Sequence, residues 1–221
     1  MTILKSAFLA STFVLSANAA MAAGTGVIGL YQNGTEISET ALEALGCTLQ
    51  RQGIVAAQQG KINLNQPDQF VVLACDLPVL AQSEYRSAIA NLFDEGTAVA
   101  LFEGALTEFG SPAGQSVVSE REYILKIGFY NNLDVDGREA DLLELQNKTK
   151  SRKSRYKTET FLQVHNAVGI STPDEVVVLY YDNPEEANQF RGNNKDILND
   201  IGAFNAAHLT GFTYLIGAAT R

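Results

Sequence analysis

The chain of 221 residues has few of the residue types that carry common enzymatic chemistry. It contains two cysteines and two histidines, which do not make a convincing metal-binding set. No nucleophile elbow, phosphate-binding loop, metal-binding run or paired-carboxylate motif is present in the sequence. The sequence therefore predicts no metal site, and any catalysis would have to rely on a shaped pocket and a few polar side chains.

Positive charge is also scarce, because the formal net charge is -9 at pH 7. An acidic surface argues against non-specific nucleic-acid binding, which depends on neutralising phosphates. Beyond the N-terminal region, no segment has the roughly 18 uninterrupted apolar residues that a membrane-spanning helix needs. We therefore expect no nucleic-acid partner and no transmembrane segment.

The N-terminus has the order of features found in secretory signal peptides. Lys5 is followed by a short apolar core, and Ala20, Met21 and Ala22 form an A-x-A cleavage site. The sequence at 17–19 offers a second such site. We predict that residues 1–22 are a signal peptide and that the mature, soluble protein is periplasmic or secreted.

The two cysteines of an exported chain are predicted to form a disulfide, Cys47 with Cys75. One pattern argues against this pairing. If one helix carries Leu42, Leu45 and Leu49 on its buried stripe, Cys47 faces away from the sheet. Gly46 could end that helix and restore the pairing. The alternative is two free thiols.

Two short apolar segments occur twice in the chain. "DQFVVLACD" at Asp68–Asp76 matches "DEVVVLYYD" at Asp174–Asp182, and "IGLYQN" at Ile28–Asn33 matches "IGFYNN" at Ile127–Asn132. The matches come in the same order in each half, which indicates an internal duplication. Both copies have the pattern β-α-β-β-α-β of a ferredoxin-like unit, and the first copy includes predicted helices over 38–52 and 78–93.

The strands are apolar on both faces, as in "VVVLYY", so both faces should be covered. Helices cover one face of a ferredoxin-like sheet, and the other repeat's sheet is the simplest cover for the second face. We predict an α+β fold of two tandem ferredoxin-like repeats packed sheet to sheet as a barrel within one chain. The predicted units are a signal peptide at 1–22, repeat 1 at 23–109, a linker at 110–119 and repeat 2 at 120–221.

In element order and duplication, residues 24–217 resemble the dimeric α+β barrel superfamily, although no family-specific motif is present. The superfamily includes cofactor-free monooxygenases, haem-binding and haem-degrading enzymes, and isomerases, and fold alone cannot choose among them. The leading interpretation is a protein that binds a small molecule or a partner between the two sheets. The alternatives are a cofactor-free or haem-dependent oxidoreductase or isomerase, and a non-catalytic assembly module.

Strand alternation suggests which polar side chains would meet a ligand. Lys126 and Tyr130 share one face of their strand, and Gln163 and His165 share one face of another. If these faces look into the space between the sheets, the four side chains converge there, with Tyr31 of the first repeat on the opposite wall. Such a pocket is the usual form of a binding site. The alternative is that each residue is solvated or hydrogen-bonded separately.

Two further features remain open from sequence alone. His208 lies near the end of a predicted helix, where polar or cationic side chains are common. The superfamily resemblance implies the alternative of an axial haem ligand there; otherwise no cofactor is expected. The segment "KTKSRKSRYK" is either a solvated face or a contact for an anionic surface. Its basic residues are Lys148, Lys150, Arg152, Lys153, Arg155 and Lys157.

Overall fold

The structure is a computed structural model that describes residues 24–109 and 117–221. The first half contains β1 Gly24–Gln32, α1 Glu39–Leu45, β2 Cys47–Gly60, β3 Gln69–Cys75, α2 Ser83–Ala90 and β4 Thr97–Glu108. A 3₁₀ turn at Val118–Glu120 leads into the second half. The second half contains β5 Glu122–Tyr130, α3 Val135–Lys150, β6 Lys157–Val168, β7 Glu175–Tyr181, α4 Pro184–Asn193, α5 Lys195–His208 and β8 Leu209–Ala219.

The eight strands form one closed antiparallel barrel in the order β1-β3-β2-β8-β5-β7-β6-β4. Within each half the order is the same, with the first strand between the third and the fourth. The halves join along two seams, β2 with β8 and β4 with β6. This topology confirms the predicted α+β barrel of two ferredoxin-like units. The two matched nonapeptides form β3 and β7, which hold equivalent places.

The space between the two four-stranded sheets is filled by apolar side chains. Inward-facing residues of both halves form one buried cluster, and the helices cover the outer faces of the sheets with two more. The inner cluster includes Ile28, Leu30, Phe70, Val72, Phe102, Tyr123, Leu125, Ile127, Leu162 and Val178. Packed side chains therefore occupy the place between the sheets where the sequence analysis predicts a ligand.

The two seams repeat the same local irregularity. Ala56 is an extra residue in β2 opposite β8, and His165 is an extra residue in β6 opposite β4. Two residues before each bulge, a backbone carbonyl points at a glycine of the facing strand, Gly217 in one seam and Gly104 in the other. A β-carbon at either glycine would overlap that carbonyl oxygen. Bulges bend strands, and here both bends need a glycine opposite them.

The hydrogen-bond register shows that the first strands of the two halves are not aligned as their sequences suggest. Val72 of β3 lies opposite Ile28, whereas its counterpart in β7, Val178, lies opposite Leu125 instead of Ile127. Strand β5 is thus shifted by two residues relative to β1. A shift of two keeps every side chain on its face, since the side-chain period of a strand is two.

The disulfide between Cys47 and Cys75 is confirmed, with the two Cα atoms 4.1 Å apart. The predicted helix over 38–52 is too long, because Gly46 ends α1 in the left-handed conformation at φ 61°. The chain then enters β2 at once, and Cys47 lies directly opposite Cys75 in the ladder. The glycine therefore supplies the turn that brings the two thiols together.

The predicted helix over 78–93 begins only at Ser83. The backbone N–H groups of Val79 and Leu80 donate to the buried carboxylate of Glu103, with 2.7 Å between Leu80 N and Glu103 Oε1. These bonds hold the segment before α2 in a non-helical conformation. In the second half, Asn194 lies between α4 and α5.

The predicted signal peptide and residues 110–116 of the predicted linker lie outside the described residues. No helix within 24–109 or 117–221 is long and apolar enough to cross a membrane.

The seams predict a sharp difference between glycines. Gly104→Ala should lower the free energy of unfolding by about 3 kcal/mol or more, since the new methyl group overlaps a backbone oxygen that cannot move aside. Gly202→Ala is the control. Gly202 is exposed within α5 and has open space around it, so alanine there should stabilise by roughly 0.5–1 kcal/mol. Urea unfolding measures the free energy of unfolding of both variants. Equal stabilities of Gly104→Ala and Gly202→Ala would contradict the seam geometry.

Candidate ligand-binding cavity

A cavity of about 410 Å³ lies in the second half, between helices α3 and α5 and the outer face of the sheet. This size falls within the roughly 300–1,000 Å³ typical of sites for small organic ligands. Most of the wall is apolar, with side chains from strands on one side and helices on the other. These include Ile124, Val177, Ile216, Leu145, Ile201 and Phe204.

Three polar side chains meet at the buried end of this cavity. Lys126 on β5 and Tyr214 on β8 lie directly opposite each other in the strand register, so they share one face of the sheet. Asn205 reaches down from α5, and its Nδ2 donates to the Tyr214 hydroxyl at 2.9 Å. All three side chains line the cavity. We call Lys126, Asn205 and Tyr214 the polar floor.

One atom of the polar floor lacks a partner. Asn205 is only 4% exposed, and its Oδ1 accepts no hydrogen bond from the residues that the structure describes. A buried acceptor without a donor typically costs about 1–3 kcal/mol. Asn205 is also one of the residues that line the cavity, and a rotation of its amide would be needed to present Oδ1 to a ligand there.

Lys126 is held by a buried ion pair. Its Nζ lies 2.8 Å from Glu175 Oε1, and the rings of Tyr130 and Phe204 lie 5.6 Å and 5.8 Å away. Burial opposes the charged ammonium, but the adjacent carboxylate outweighs burial and raises the pKa of Lys126 above its ordinary value. Lys126 is therefore a fixed cation that does not act as a base near neutral pH.

The ion pair lies beside a glycine. A β-carbon at Gly128 would come within 3.4 Å of the Glu175 side chain, so Glu175 lies directly over Gly128. By strand register, Gly128 holds the place that Tyr31 holds in the first half, and Lys126 holds the place of Gly29. The two-residue shift of β5 leaves Lys126 on the helix side of the sheet but moves it along the strand to the place that Gly29 holds in the first half.

The first half fills the equivalent space. The ring of Tyr31 lies over Gly29, and its hydroxyl donates to the backbone oxygen of Ile89 at 2.6 Å. Phe93 packs against the same ring, with 4.7 Å between the centroids. Burial raises the pKa of Tyr31 well above its ordinary value, so it stays neutral as a core residue.

The structure brings together only part of the predicted site. Lys126 and Tyr130 do lie on one face, but that face is covered by helices. Gln163 lies opposite Glu175 on the same outer face, His165 is exposed at its bulge, and Tyr31 belongs to the core of the first half. The structure therefore does not bring all of these side chains together, and it places none of them among the buried residues of the inner cluster. Alternation fixes which residues share a face, but not which face lies inside a barrel covered on both sides.

Three residues that the sequence analysis did not single out prove important: Glu175, Asn205 and Tyr214. One signal was available for Glu175. A lysine within the apolar run "YILKIGFY" needs a buried anion, and Glu175 begins the apolar strand that holds the repeated segment. Asn205 and Tyr214 gave no such signal, because their meeting depends on how α5 lies over β8.

The residues around the cavity do not fit haem. His208 ends α5 with its Nε2 2.8 Å from Asp141 Oδ2, and it is not part of the cavity wall. His165 is exposed, and both cysteines are in the disulfide. Burial also raises the pKa of the wall residues Tyr156 and Tyr181, which opposes a phenolate ligand. In the described ranges, no group of three or more His, Cys, Asp or Glu could hold a metal ion.

Much of the basic segment is neutralised within the chain. Lys148 pairs with Glu144 and Asp200, at 2.8 Å and 3.1 Å. Arg152 pairs with Asp196, and Lys157 pairs with Asp182. The predicted contact of all six basic residues with an anionic surface therefore has little support. Lys150, Arg155 and Lys157 line the cavity, and of these only Lys157 has a carboxylate partner among the described residues.

Comparison with solved structures agrees with the fold. A mutant chlorite dismutase from Candidatus Nitrospira defluvii superposes with a TM-score of 0.55 at 11% identity, covering 89% of this chain and 91% of that chain. An anthrone oxidase-like protein gives 0.53 at 9% identity, with the same coverages. No family model and no curated protein matches the sequence. The chain therefore has the dimeric α+β barrel fold, and identities this low establish the fold alone.

The ion pair predicts a double-mutant result. Lys126→Met leaves a buried carboxylate unpaired and should lower the free energy of unfolding by about 3–5 kcal/mol. Lys126→Met with Glu175→Gln should recover most of that loss, because no uncompensated charge remains. The control is Lys148→Met, at a solvated pair, which should barely move the urea midpoint. A double variant no more stable than Lys126→Met would contradict the pairing.

Proposed function

We propose that this protein binds a small, largely apolar molecule in the cavity between α3, α5 and the sheet of the second half. The observation that carries the proposal is the cavity itself, about 410 Å³ in volume and apolar over most of its wall, with Lys126, Asn205 and Tyr214 among its polar lining residues. An apolar wall with a few polar groups at one end is the usual form of a small-molecule site. The first half, with the same fold, closes its equivalent space with Tyr31.

The polar floor favours a ligand that carries a hydroxyl group. A half-turn of the Asn205 amide exchanges its oxygen and nitrogen, while the Tyr214 hydroxyl can donate or accept. The Asn205 amide can therefore present its oxygen, an acceptor, to a ligand in one orientation and its nitrogen, a donor, in the other. A ligand hydroxyl pairs with either, and its oxygen can also accept from Lys126.

The same geometry supports a second candidate, an oxidoreductase or isomerase without a cofactor. A fixed ammonium beside a ligand oxygen stabilises negative charge that develops there, as on an enolate or phenolate. Lys126 would supply this stabilisation and would not remove the proton. Binding remains the leading function, because the polar floor contains no side chain suited to act as a general base.

We also propose that the protein works outside the cytoplasm, in a periplasm or as a secreted protein. The signal-peptide pattern supports this, and so does the disulfide, since such bonds persist in oxidising compartments.

Binding can be tested with 2-naphthol and 2-methylnaphthalene as matched probes, followed by their fluorescence. Wild type should bind 2-naphthol about tenfold more tightly, because the methyl analogue leaves the Asn205 amide unpaired. Asn205→Leu should abolish this preference. Ile201→Trp, which fills the cavity, should abolish binding of both probes.

The matched control is Asn199→Leu, an exposed position on the same helix, which should behave as wild type. Thermal unfolding of each variant verifies that it is folded. Failure of wild type to bind either probe, or unchanged binding by folded Ile201→Trp, would refute the proposed site.

A further inference from the structure

The basic segment contributes three cations to the cavity wall, Lys150, Arg155 and Lys157, and the last of these pairs with Asp182. Lys150 ends α3, and Arg155 follows shortly after it; both side chains are half-buried and both line the cavity. The Arg155 guanidinium donates to the backbone oxygen of Lys150, which holds it at the end of the helix. Lys126 and Asn205 are buried, so the half-buried Lys150 and Arg155 lie nearer to solvent than these two.

Lys150 and Arg155 differ from their neighbours in charge balance. Lys148, Arg152 and Lys157 each have a carboxylate partner. Among the described residues, neither Lys150 nor Arg155 has a carboxylate within ion-pair distance. Lys153 of the same segment also lacks such a partner, but it is exposed and does not line the cavity. Lys150 and Arg155 are therefore the cations of this segment that line the cavity without a carboxylate beside them.

We infer that the ligand of this cavity is an organic anion, with an apolar body inside and an acidic group beside Lys150 and Arg155. This inference rests on the proposed function and adds the charge of the ligand to it. A guanidinium and an ammonium together suit a carboxylate, which accepts charge-assisted hydrogen bonds from both. Half-buried cations are also less screened by salt than exposed ones.

The class of ligand follows from these two sets of polar groups. The polar floor pairs with a hydroxyl and the two cations pair with an acid, so a hydroxylated aromatic or aliphatic acid satisfies both. The basic segment, which sequence alone presents as a surface feature, thereby becomes part of the same site.

The test uses two probes with the same size and hydroxyl group, 6-hydroxy-2-naphthoate and 6-hydroxy-2-naphthamide. Wild type should bind the acid about tenfold more tightly than the amide at low salt, because only the acid is ionised. In Lys150→Gln with Arg155→Gln, affinity for the acid should fall about tenfold while affinity for the amide changes little. Lys148→Gln with Arg152→Gln removes the same charge from the same segment and should keep the preference.

The outcomes separate the two proposals. If wild type binds neither probe, the proposed function fails. If it binds both equally, or if the preference survives in the Lys150 and Arg155 variant, the anion inference fails and the binding function stands. Retained amide binding shows that this variant is folded. Acid binding that persists when Ile201→Trp fills the cavity would place the acid on the outer surface and also overturn the inference.

Discussion

A lysine side chain buried beneath a layer of helices requires a carboxylate beside it, and the arrangement of the second half depends on that pair. Lys126 and Glu175 meet at 2.8 Å on the helix side of the sheet. The Glu175 side chain lies over Gly128, within 3.4 Å of where a β-carbon there would be. A large ring at this position would compete for the same space. The pair therefore explains why the floor of the cavity is charged and why no aromatic side chain fills it.

The duplication gives the chain two versions of one unit. The second has a cavity between its helices and its sheet, and in the first a tyrosine occupies the equivalent space. In the first half, Tyr31 folds back over Gly29 and closes the space, and the disulfide joins two neighbouring strands of the same sheet. In the second half, a shift of two residues in β5 puts Lys126 where Gly29 would be. A shift of two residues is the smallest that moves a strand along its neighbour and still keeps each side chain on the same face of the sheet. The first half thus serves as scaffold and the second carries the site.

The sequence predicts the fold well because its strands recur in order and are apolar on both faces, as in the segments that form β3 and β7. It also places Lys126 and Tyr130 on one face correctly. It could not tell which face lies inside, since apolar runs such as "VVVLYY" look alike whether a sheet or a helix covers them. Asn205 and Tyr214 escape prediction for another reason. They meet only through the docking of α5 on β8, which no local pattern records.

The two faces of the sheet in the second half differ in one respect. The helix-covered face has a cavity with room for a ligand, whereas the face inside the barrel is packed with side chains. A crystal structure under xenon pressure tests this difference most directly, because xenon enters apolar cavities that side chains leave empty. The account predicts xenon near Ile201 and Phe204, between α5 and the sheet, and none among Phe70, Phe102 and Tyr123. Xenon inside the barrel, with none beneath α5, would contradict it.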